Sequence, residues 1–168
     1  FVTQLEQPMG AALKGLEIAK LAGVTTVLNP APAAKLPEKM LEFCDYITPN
    51  EIETEALTGI SVNTIDDADQ AAEAFKRMGV STPIITLGEK GAYLYGHGLV
   101  PAFNVGLVVE TTGAGDAFNG GFSAALSEGM TPLAAVQFGC ATAGISVTRP
   151  GTAPSMPSRE EVNKLLQT

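Results

Sequence analysis

The segment from Val108 to Asp116 constrains this chain more than any other part of the sequence. It reads Val-Val-Glu-Thr-Thr-Gly-Ala-Gly-Asp. Two β-branched residues predict the end of a strand at Val109, small residues predict a turn, and the acid stands where a helix is expected to begin. Such a turn presents backbone N–H groups and the positive end of a helix dipole to an anion. Gly113 and Gly115 would let the backbone approach that anion closely.

Asp116 places a negative charge next to this predicted phosphate site, and two interpretations follow. The carboxylate could accept the proton of an attacking hydroxyl during phosphoryl transfer, or it could only complement the helix dipole. Two common phosphate-binding motifs are excluded. No Gly-Lys-Ser/Thr follows, as a P-loop requires, and a dinucleotide fingerprint would need glycine where Phe118 stands. The pattern therefore argues against a Rossmann oxidoreductase.

Composition limits the class of protein and its partners. The chain has 168 residues, a net charge of −8 and a pI near 4.6, which suits one domain that binds neither nucleic acid nor an anionic membrane. Cys44 and Cys140 lack a metal-binding spacing and suit a reducing compartment. Without a membrane-length apolar run or a signal-peptide pattern, we expect a cytoplasmic protein. The apolar start at Phe1, without an initiator Met, indicates a fragment or a processed chain.

Strand and helix patterns alternate along the sequence. Gly23 and Gly59 are expected to end two of the helices, and Thr64 is expected to be the N-cap of a third, with an acid, Asp67, three residues on. The predicted strands are 1–5, 24–28, 46–48, 83–87, 92–95, a segment near Val100, and 106–109; the predicted helices are 7–22, 37–43, 50–57, 64–78, 115–128, 131–147 and one from Ser158. This alternation predicts an α/β fold whose largely parallel sheet is covered by helices on both faces. Ligands of such sheets bind at the carboxyl ends of the strands.

Three more loops follow predicted strands, so all could open on the same edge of the sheet as the glycine turn. In the first, Asn50 and Glu53 lie three residues apart on one helical turn. An amide and a carboxylate there could hold Mg²⁺ through water. They could equally cap the helix, with Asn50 as N-cap and Glu53 at the third position. Both roles can coexist.

The other two loops have weaker signals. Between Thr86 and Gly91, paired glycines at a strand end could admit nucleotide phosphates, or could form a tight turn between two strands. From Thr148 to Ser155, a loop rich in Gly, Pro and hydroxyl groups exposes carbonyl oxygens suited to a hard cation, or is an ordinary surface connection.

Together and in this order, these segments resemble the ribokinase-like, phosphofructokinase-B-type family of sugar and nucleoside kinases. The strongest match is Glu110–Phe118, which is similar to the family signature D-T-T/V-G-A-G-D-x-F. The segments 29–32, 47–51 and 147–149 are most similar to the ribokinase branch. The resemblance covers essentially the whole chain, residues 1–168, but only the C-terminal, nucleotide-binding part of such a kinase. It implies a three-layer α/β/α fold from which the N-terminal strands and β lid are absent.

The resemblance also implies an activity and a set of site residues. The activity is ATP-dependent phosphorylation of a sugar hydroxyl, O5 of D-ribose in the ribokinase branch, with Asp116 as catalytic base. The other implied residues are the anion hole Gly113, Ala114 and Gly115; the nucleotide-phosphate loop Thr86, Leu87, Gly88, Glu89, Lys90 and Gly91; Asn50 and Glu53 with Mg²⁺ and phosphate; Cys140 near the adenosine; and Glu6 at the sugar. Cys140 could instead be a plain buried thiol, and Glu6 a helix-entry carboxylate.

Family members of the ribokinase branch are activated by a monovalent cation, normally K⁺, beside the anion hole. The matching positions are Glu110, Thr112, Ser146, Arg149, Gly151 and Ser155, several of them through main-chain oxygens. Glu110 departs from the pattern, because the family usually has Asp there. The extra methylene moves the carboxylate outward by about one C–C bond, which matters in tight metal geometry.

The resemblance also leaves alternatives open. The segments that grip the sugar and form the lid have no counterpart here, so we expect the 168 residues alone to phosphorylate sugar poorly or not at all. Members commonly dimerise through the lid. A related kinase of fructose, a keto-deoxy sugar acid or a nucleoside is an alternative within the family. A non-catalytic nucleotide-binding module is an alternative outside enzymes, against which an unpaired carboxylate at Asp116 argues.

Overall fold

The computed structural model describes residues 1–37 and 39–167 and has the predicted α/β order. The strands are β1 (Val2–Thr3), β2 (Val27–Leu28), β3 (Tyr46–Ile47), β4 (Thr82–Thr86), β5 (Gly91–Leu94) and β6 (Gly98–Pro101). The helices are α1 (Met9–Leu21), α2 (Glu51–Thr58), α3 (Ile65–Arg77), α4 (Ala114–Ser127), α5 (Pro132–Ser146) and α6 (Arg159–Leu166), and short 3₁₀ helices cover Leu41–Phe43, Gly88–Lys90 and Ala153–Ser155.

The strands form one sheet in the order β1-β2-β3-β4-β5-β6. The pairs β1/β2, β2/β3 and β3/β4 are parallel, and Val2, Val27, Tyr46 and Thr82 lie opposite one another in register. The prediction of a largely parallel sheet is therefore confirmed. The chain divides into two compact units, one of 1–87 with 93–99 and the other of 88–92 with the chain from residue 100 onward. Each unit is described by itself below.

The helix ends of the first unit follow the sequence signals. Thr64 is the N-cap of α3 and forms a capping box with Asp67, because each residue's side chain accepts the other's backbone N–H. At the C-terminal end of α2, Gly59 has φ 74°, the left-handed conformation that glycine adopts without strain. Gly23, with φ 72°, likewise follows the end of α1. These three predicted boundaries are confirmed.

Two apolar clusters form the core of the first unit. In the first cluster, Leu16 of α1 packs with Leu28 of β2, Ile47 of β3 and Phe75 of α3, all fully buried. In the second, three alanines of α3 (Ala68, Ala71 and Ala72) pack with Ile85 of β4. Small residues at this spacing give α3 a flat face, so the helix lies close to the strands.

The second unit is built on the α4–α5 pair, whose helices touch closely because glycines replace side chains at the contact. A Cβ on Gly121 would lie 2.4 Å from Oγ1 of Thr142, and one on Gly139 would lie 2.9 Å from the Phe118 ring. Helix α6 packs on this pair through the guanidinium of Arg159, which lies 4.3 Å from the ring centre of Phe138. Within the described residues, no helix combines the length and apolar character of a membrane span.

Two predicted elements are wrong. The segment 106–109 is not a strand: within the described chain its only backbone hydrogen bond is from Val109 N–H to the carbonyl of Val147, and no ladder partner follows. The short helix predicted over 37–43 is reduced to the 3₁₀ turn Leu41–Phe43; Glu38 of that segment lies outside the described residues. The predictions relied on local propensity, which cannot supply a pairing partner.

Candidate functional site

The glycine turn opens α4 as the sequence predicted, although the segment 106–109 before it is not a strand. Gly113 is the N-cap, with φ 80° and ψ 5°, and no side chain caps the helix. Ala114 N–H donates to the carbonyl of Thr111 at 3.1 Å. The N–H groups of Gly113 and Gly115 make no hydrogen bond with any described residue, so they remain available to an anion. A Cβ on Gly115 would meet nothing within 4 Å, which leaves this side of the turn open.

Asp116 is the third residue of α4 and is exposed. Its carboxylate makes no hydrogen bond or ion pair with another residue of the described chain. The turn below it is held by Asn119, a buried residue whose Nδ2 donates to the carbonyl of Gly115 at 2.9 Å. Sequence reasoning missed Asn119, although its place four residues after Gly115 on the same helix was a usable signal.

The loop after α5 is fastened to the segment before α4 within the second unit. Glu110 accepts a hydrogen bond from Gly151 N–H through Oε2 at 2.8 Å. The N–H groups of Val109 and Glu110 both reach the carbonyl of Val147, at 2.7 and 3.2 Å. The structure thus brings the 110–113 turn and the 147–152 loop together.

The residues predicted to bind a monovalent cation all belong to these two segments or lie next to them. Ser146 and Ser155 are buried, and their hydroxyls donate to the carbonyls of Ala143 (2.9 Å) and Thr152 (2.6 Å). The Arg149 side chain pairs with Glu161, so only its main-chain oxygen suits a cation. Thr112 is exposed, and Gly151 has φ 82°. Oxygen atoms of this kind are the ligands that hard cations prefer.

In the first unit, Asn50 and Glu53 form the capping box that the sequence allowed. Asn50 Oδ1 accepts from Glu53 N–H at 2.8 Å, and Glu53 Oε2 accepts from Asn50 N–H at 2.9 Å. Glu53 is 8% exposed, and burial raises the pKa of its carboxyl, against the lowering effect of the Asn50 N–H. Its Oε1 makes no hydrogen bond within the described residues, so capping leaves one oxygen for another ligand.

The loop after β4 lies beside the loop after β3 in the same unit. Thr86 N–H donates to the carbonyl of Pro49 at 2.9 Å, and the Thr86 hydroxyl reaches the same oxygen at 3.4 Å. Two of the predicted loops therefore meet at the carboxyl ends of neighbouring parallel strands, while Leu87 is buried in the second apolar cluster. That all four loops share one edge stays a prediction.

The two glycines of the 86–91 segment differ. A Cβ on Gly91 would lie 2.1 Å from the carbonyl oxygen of Val100, so this glycine allows close backbone packing. Gly88, with φ 54°, has open space around the position of a Cβ, and Glu89 and Lys90 are exposed. The Gly88 end of this segment and the exposed Glu89 and Lys90 are therefore open to a ligand.

Two further predicted site residues, Cys140 and Glu6, lie outside the four loops. Cys140 is buried in α5, and burial raises the pKa of its thiol to about 12, so it is a neutral apolar group. Glu6 is exposed and lies three residues before α1, whose first turn holds no acid. Among the residues that the structure describes, no group of three or more His, Cys, Asp or Glu side chains is placed to hold a metal ion.

Comparison with known proteins agrees with this α/β fold. Residues 3–159 match the model of the pfkB family of carbohydrate kinases, and the chain belongs to that family. It is 44% identical over 167 residues to a ribokinase of Haemophilus influenzae and 41% identical over 168 residues to one of Staphylococcus aureus. Both alignments cover 98% of this chain, but 54% and 55% of the relatives.

A solved structure of Arabidopsis thaliana ribokinase complexed with ribose and ATP superimposes with a TM-score of 0.95 at 32% identity. The match covers 99% of this chain and 55% of that one. The fold is therefore the ribokinase-like α/β fold with a mostly parallel sheet. The chain spans about half the length of the curated relatives it matches.

Proposed function

We propose that the natural polypeptide carrying this chain is an ATP-dependent sugar kinase that transfers the γ-phosphoryl group of ATP to the 5-hydroxyl of D-ribose. Family membership and the similarity to ribokinases support the reaction class. The observation that carries the proposal is the exposed, unpaired Asp116 carboxylate one residue after two free N–H groups at the start of α4. A base next to an anion-binding turn suits the attack of a hydroxyl on a phosphoryl group.

In this reaction the sugar hydroxyl oxygen forms a bond to the γ-phosphorus while the bond from that phosphorus to the bridging oxygen breaks, and ADP leaves. Asp116 accepts the hydroxyl proton. The N–H groups of Gly113, Ala114 and Gly115 face the charge that grows on the transferred group. Ala114 N–H is partly engaged by Thr111, so the two glycine N–H groups contribute most.

The nucleotide is assigned to the remaining loops. Thr86 and the open Gly88 end of the 86–91 segment bind its phosphates, and Cys140 supplies an apolar contact near the adenosine. Mg²⁺, when bound, neutralises phosphate charge. The residues fit this ion, because Mg²⁺ in such sites is held by substrate phosphates, waters and one or two protein oxygens rather than by an all-protein cage. Asn50 and Glu53, with its second oxygen unused, would hold it through water.

A monovalent cation such as K⁺ is assigned to Glu110, Thr112, Ser146, Arg149, Gly151 and Ser155. The donor set fits, because it consists of carbonyl, hydroxyl and carboxylate oxygens gathered on two adjoining segments. Glu110 would contribute its Oε1, since Oε2 already accepts the Gly151 N–H. The cation would add positive charge near the anion-binding turn.

Glu6 is assigned to binding of the sugar. The active polypeptide is proposed to be a cytoplasmic homodimer. Because the chain spans about half of its relatives, we expect the 168 residues alone to bind ribose weakly and to turn it over slowly or not at all. Turnover by the isolated chain equal to that of the natural polypeptide would contradict this expectation.

The activity is tested by incubating the natural polypeptide with ATP, Mg²⁺, K⁺ and one acceptor at a time: D-ribose, D-fructose, a 2-keto-3-deoxy sugar acid or a nucleoside. ADP release and ³¹P NMR of the product identify the acceptor and the phosphorylated oxygen. We expect D-ribose to give the highest kcat/KM and a 5-phosphate. A better alternative acceptor would replace the substrate assignment, and ATP binding without any transfer would favour a non-catalytic module.

A further inference from the structure

Thr152, which the sequence did not single out, lies against the N-terminal turn of α4. A Cβ on Gly113 would be 3.1 Å from Cγ2 and 3.3 Å from Cβ of Thr152. The Thr152 side chain therefore lies beside Gly113, on the side where any other residue would carry its Cβ, although the two residues are far apart in the chain. The Thr152 atoms nearest to that position are carbons, so the neighbour that Gly113 meets there is apolar.

Hydrogen bonds fix the backbone of Thr152 and of its neighbour Gly151. Its carbonyl accepts two hydrogen bonds from Ser155, one from the hydroxyl at 2.6 Å and one from the N–H at 3.1 Å. Ser155 is only 2% exposed. On the other side, Gly151 N–H is bound by the Glu110 carboxylate. Neighbours on both sides thus fix the backbone around Thr152, which keeps its exposed side chain beside Gly113.

Gly113 needs such support. It occupies the left-handed region at φ 80°, a conformation that glycine enters and leaves easily, and no side chain caps the helix it starts. Gly113 joins the turn to the helix, so its dihedral angles help to set how its own N–H group is directed relative to that of Gly115. A neighbour that restricts these dihedral angles therefore helps to align the two donors.

We propose that Thr152 is a positioning residue for the anion-binding turn: its γ-methyl group holds Gly113 in the conformation that aims the N–H groups of 113–115. As a role in catalysis, this inference rests on the proposed kinase function. Preorganised donors act on the transition state more than on the bound substrate. Loosening the turn should therefore lower kcat and leave the KM for ATP nearly unchanged.

A pair of opposite substitutions in the natural polypeptide tests the role. Thr152→Ser removes only the γ-methyl group beside Gly113, and Thr152→Val keeps a γ-methyl and removes the hydroxyl. Because Thr152 is exposed, we expect Thr152→Ser to lower kcat about twofold, less than the roughly fourfold factor that a fully buried methyl group represents. Thr152→Val should keep the wild-type rate. The N–H groups of Ala114 and Ala117 are hydrogen-bonded to the carbonyls of Thr111 and Gly113, so their amide exchange reports opening of the turn; it should rise in the Ser variant and not in the Val variant.

The exchange measurement separates this inference from the proposed function. Faster exchange in Thr152→Ser on a polypeptide that phosphorylates no sugar would support positioning and refute the kinase assignment. Unchanged exchange and kcat in Thr152→Ser would overturn the positioning role while the kinase assignment stands. An equal loss in both variants, or a rise in KM alone, would also overturn it.

Discussion

The turn before α4 makes opposite demands on its two glycines, and alanine at each position measures them. Gly113 has φ 80°, whereas Gly115 lies in the helix, where a Cβ would meet nothing within 4 Å. Alanine in the left-handed region is disfavoured by roughly 1–2 kcal/mol. At Gly113 its Cβ would also lie 3.1 Å from the Thr152 methyl group. The total cost is therefore about 2 kcal/mol.

Alanine is expected to have the opposite effect at Gly115, two residues later. Alanine is favoured over glycine inside a helix by roughly 0.5–1 kcal/mol. Gly115→Ala should therefore stabilise α4, while Gly113→Ala destabilises it. The two variants add the same methyl group to the same turn, so each is the control for the other.

Native-state amide exchange of α4 is the appropriate assay, because it reports the local free energy of opening. The slowest amides, around the buried residues Phe118 and Phe122, should exchange about 30-fold faster in Gly113→Ala. In Gly115→Ala they should exchange roughly two- to fivefold more slowly. Equal effects of the two substitutions, or an unchanged rate in Gly113→Ala, would refute the reasoning.

Three further predictions concern stability and pH. Thr54 is fully buried and its hydroxyl has no partner among the described residues, so Thr54→Val should raise the free energy of unfolding by about 1 kcal/mol. The control Thr58→Val loses a hydrogen bond to the Thr54 carbonyl and should lower the free energy of unfolding in the same urea titration. Because burial raises the pKa of Glu53, charging that residue opposes folding above its folded pKa. Glu53→Gln, which keeps the capping box, should therefore stabilise the chain at pH 7 but not below pH 4.5. The same variant should reduce ATP-dependent turnover of the natural polypeptide. Hydrogen bonds from Arg149 and Ser158 lower the pKa of Glu161 from 4.5 to about 2. The stabilisation that Glu161 gives to α6 is therefore present above pH 4.5 and is lost as the pH falls toward 2. A carboxyl ¹³C titration midpoint near 4.5 would contradict this.

Local chemistry explains what could be predicted. The capping pairs Thr64–Asp67 and Asn50–Glu53, and the left-handed Gly59, are written into a few adjacent residues, and the structure shows each of them where the sequence placed it. The glycine turn at Gly113 belongs to the same class, because its conformation depends on the residue that occupies it.

Features that depend on distant parts of the chain could not be predicted. Val108 and Val109 have strand propensity, but the described chain offers this segment no pairing partner, so it stays irregular and exposed. Thr152 meets Gly113 only because α4, α5 and the loop after α5 pack as they do. No local pattern carries that information. Close backbone packing of Gly91 against Val100 is likewise a requirement for glycine that no local pattern shows, and its place in the phosphate loop stays a prediction.

The central claim is that Asp116 is the base for phosphoryl transfer. Its most direct test is Asp116→Asn in the natural polypeptide, with Asp66→Asn as the matched control, because Asp66 is an exposed acid in the first turn of α3. Calorimetric ATP affinity and the kcat for D-ribose are measured on each variant. Asp116→Asn should lower kcat by about 10²–10⁴-fold and leave ATP affinity within about threefold of wild type, while Asp66→Asn changes neither. A kcat within about threefold of wild type in Asp116→Asn would contradict the assignment.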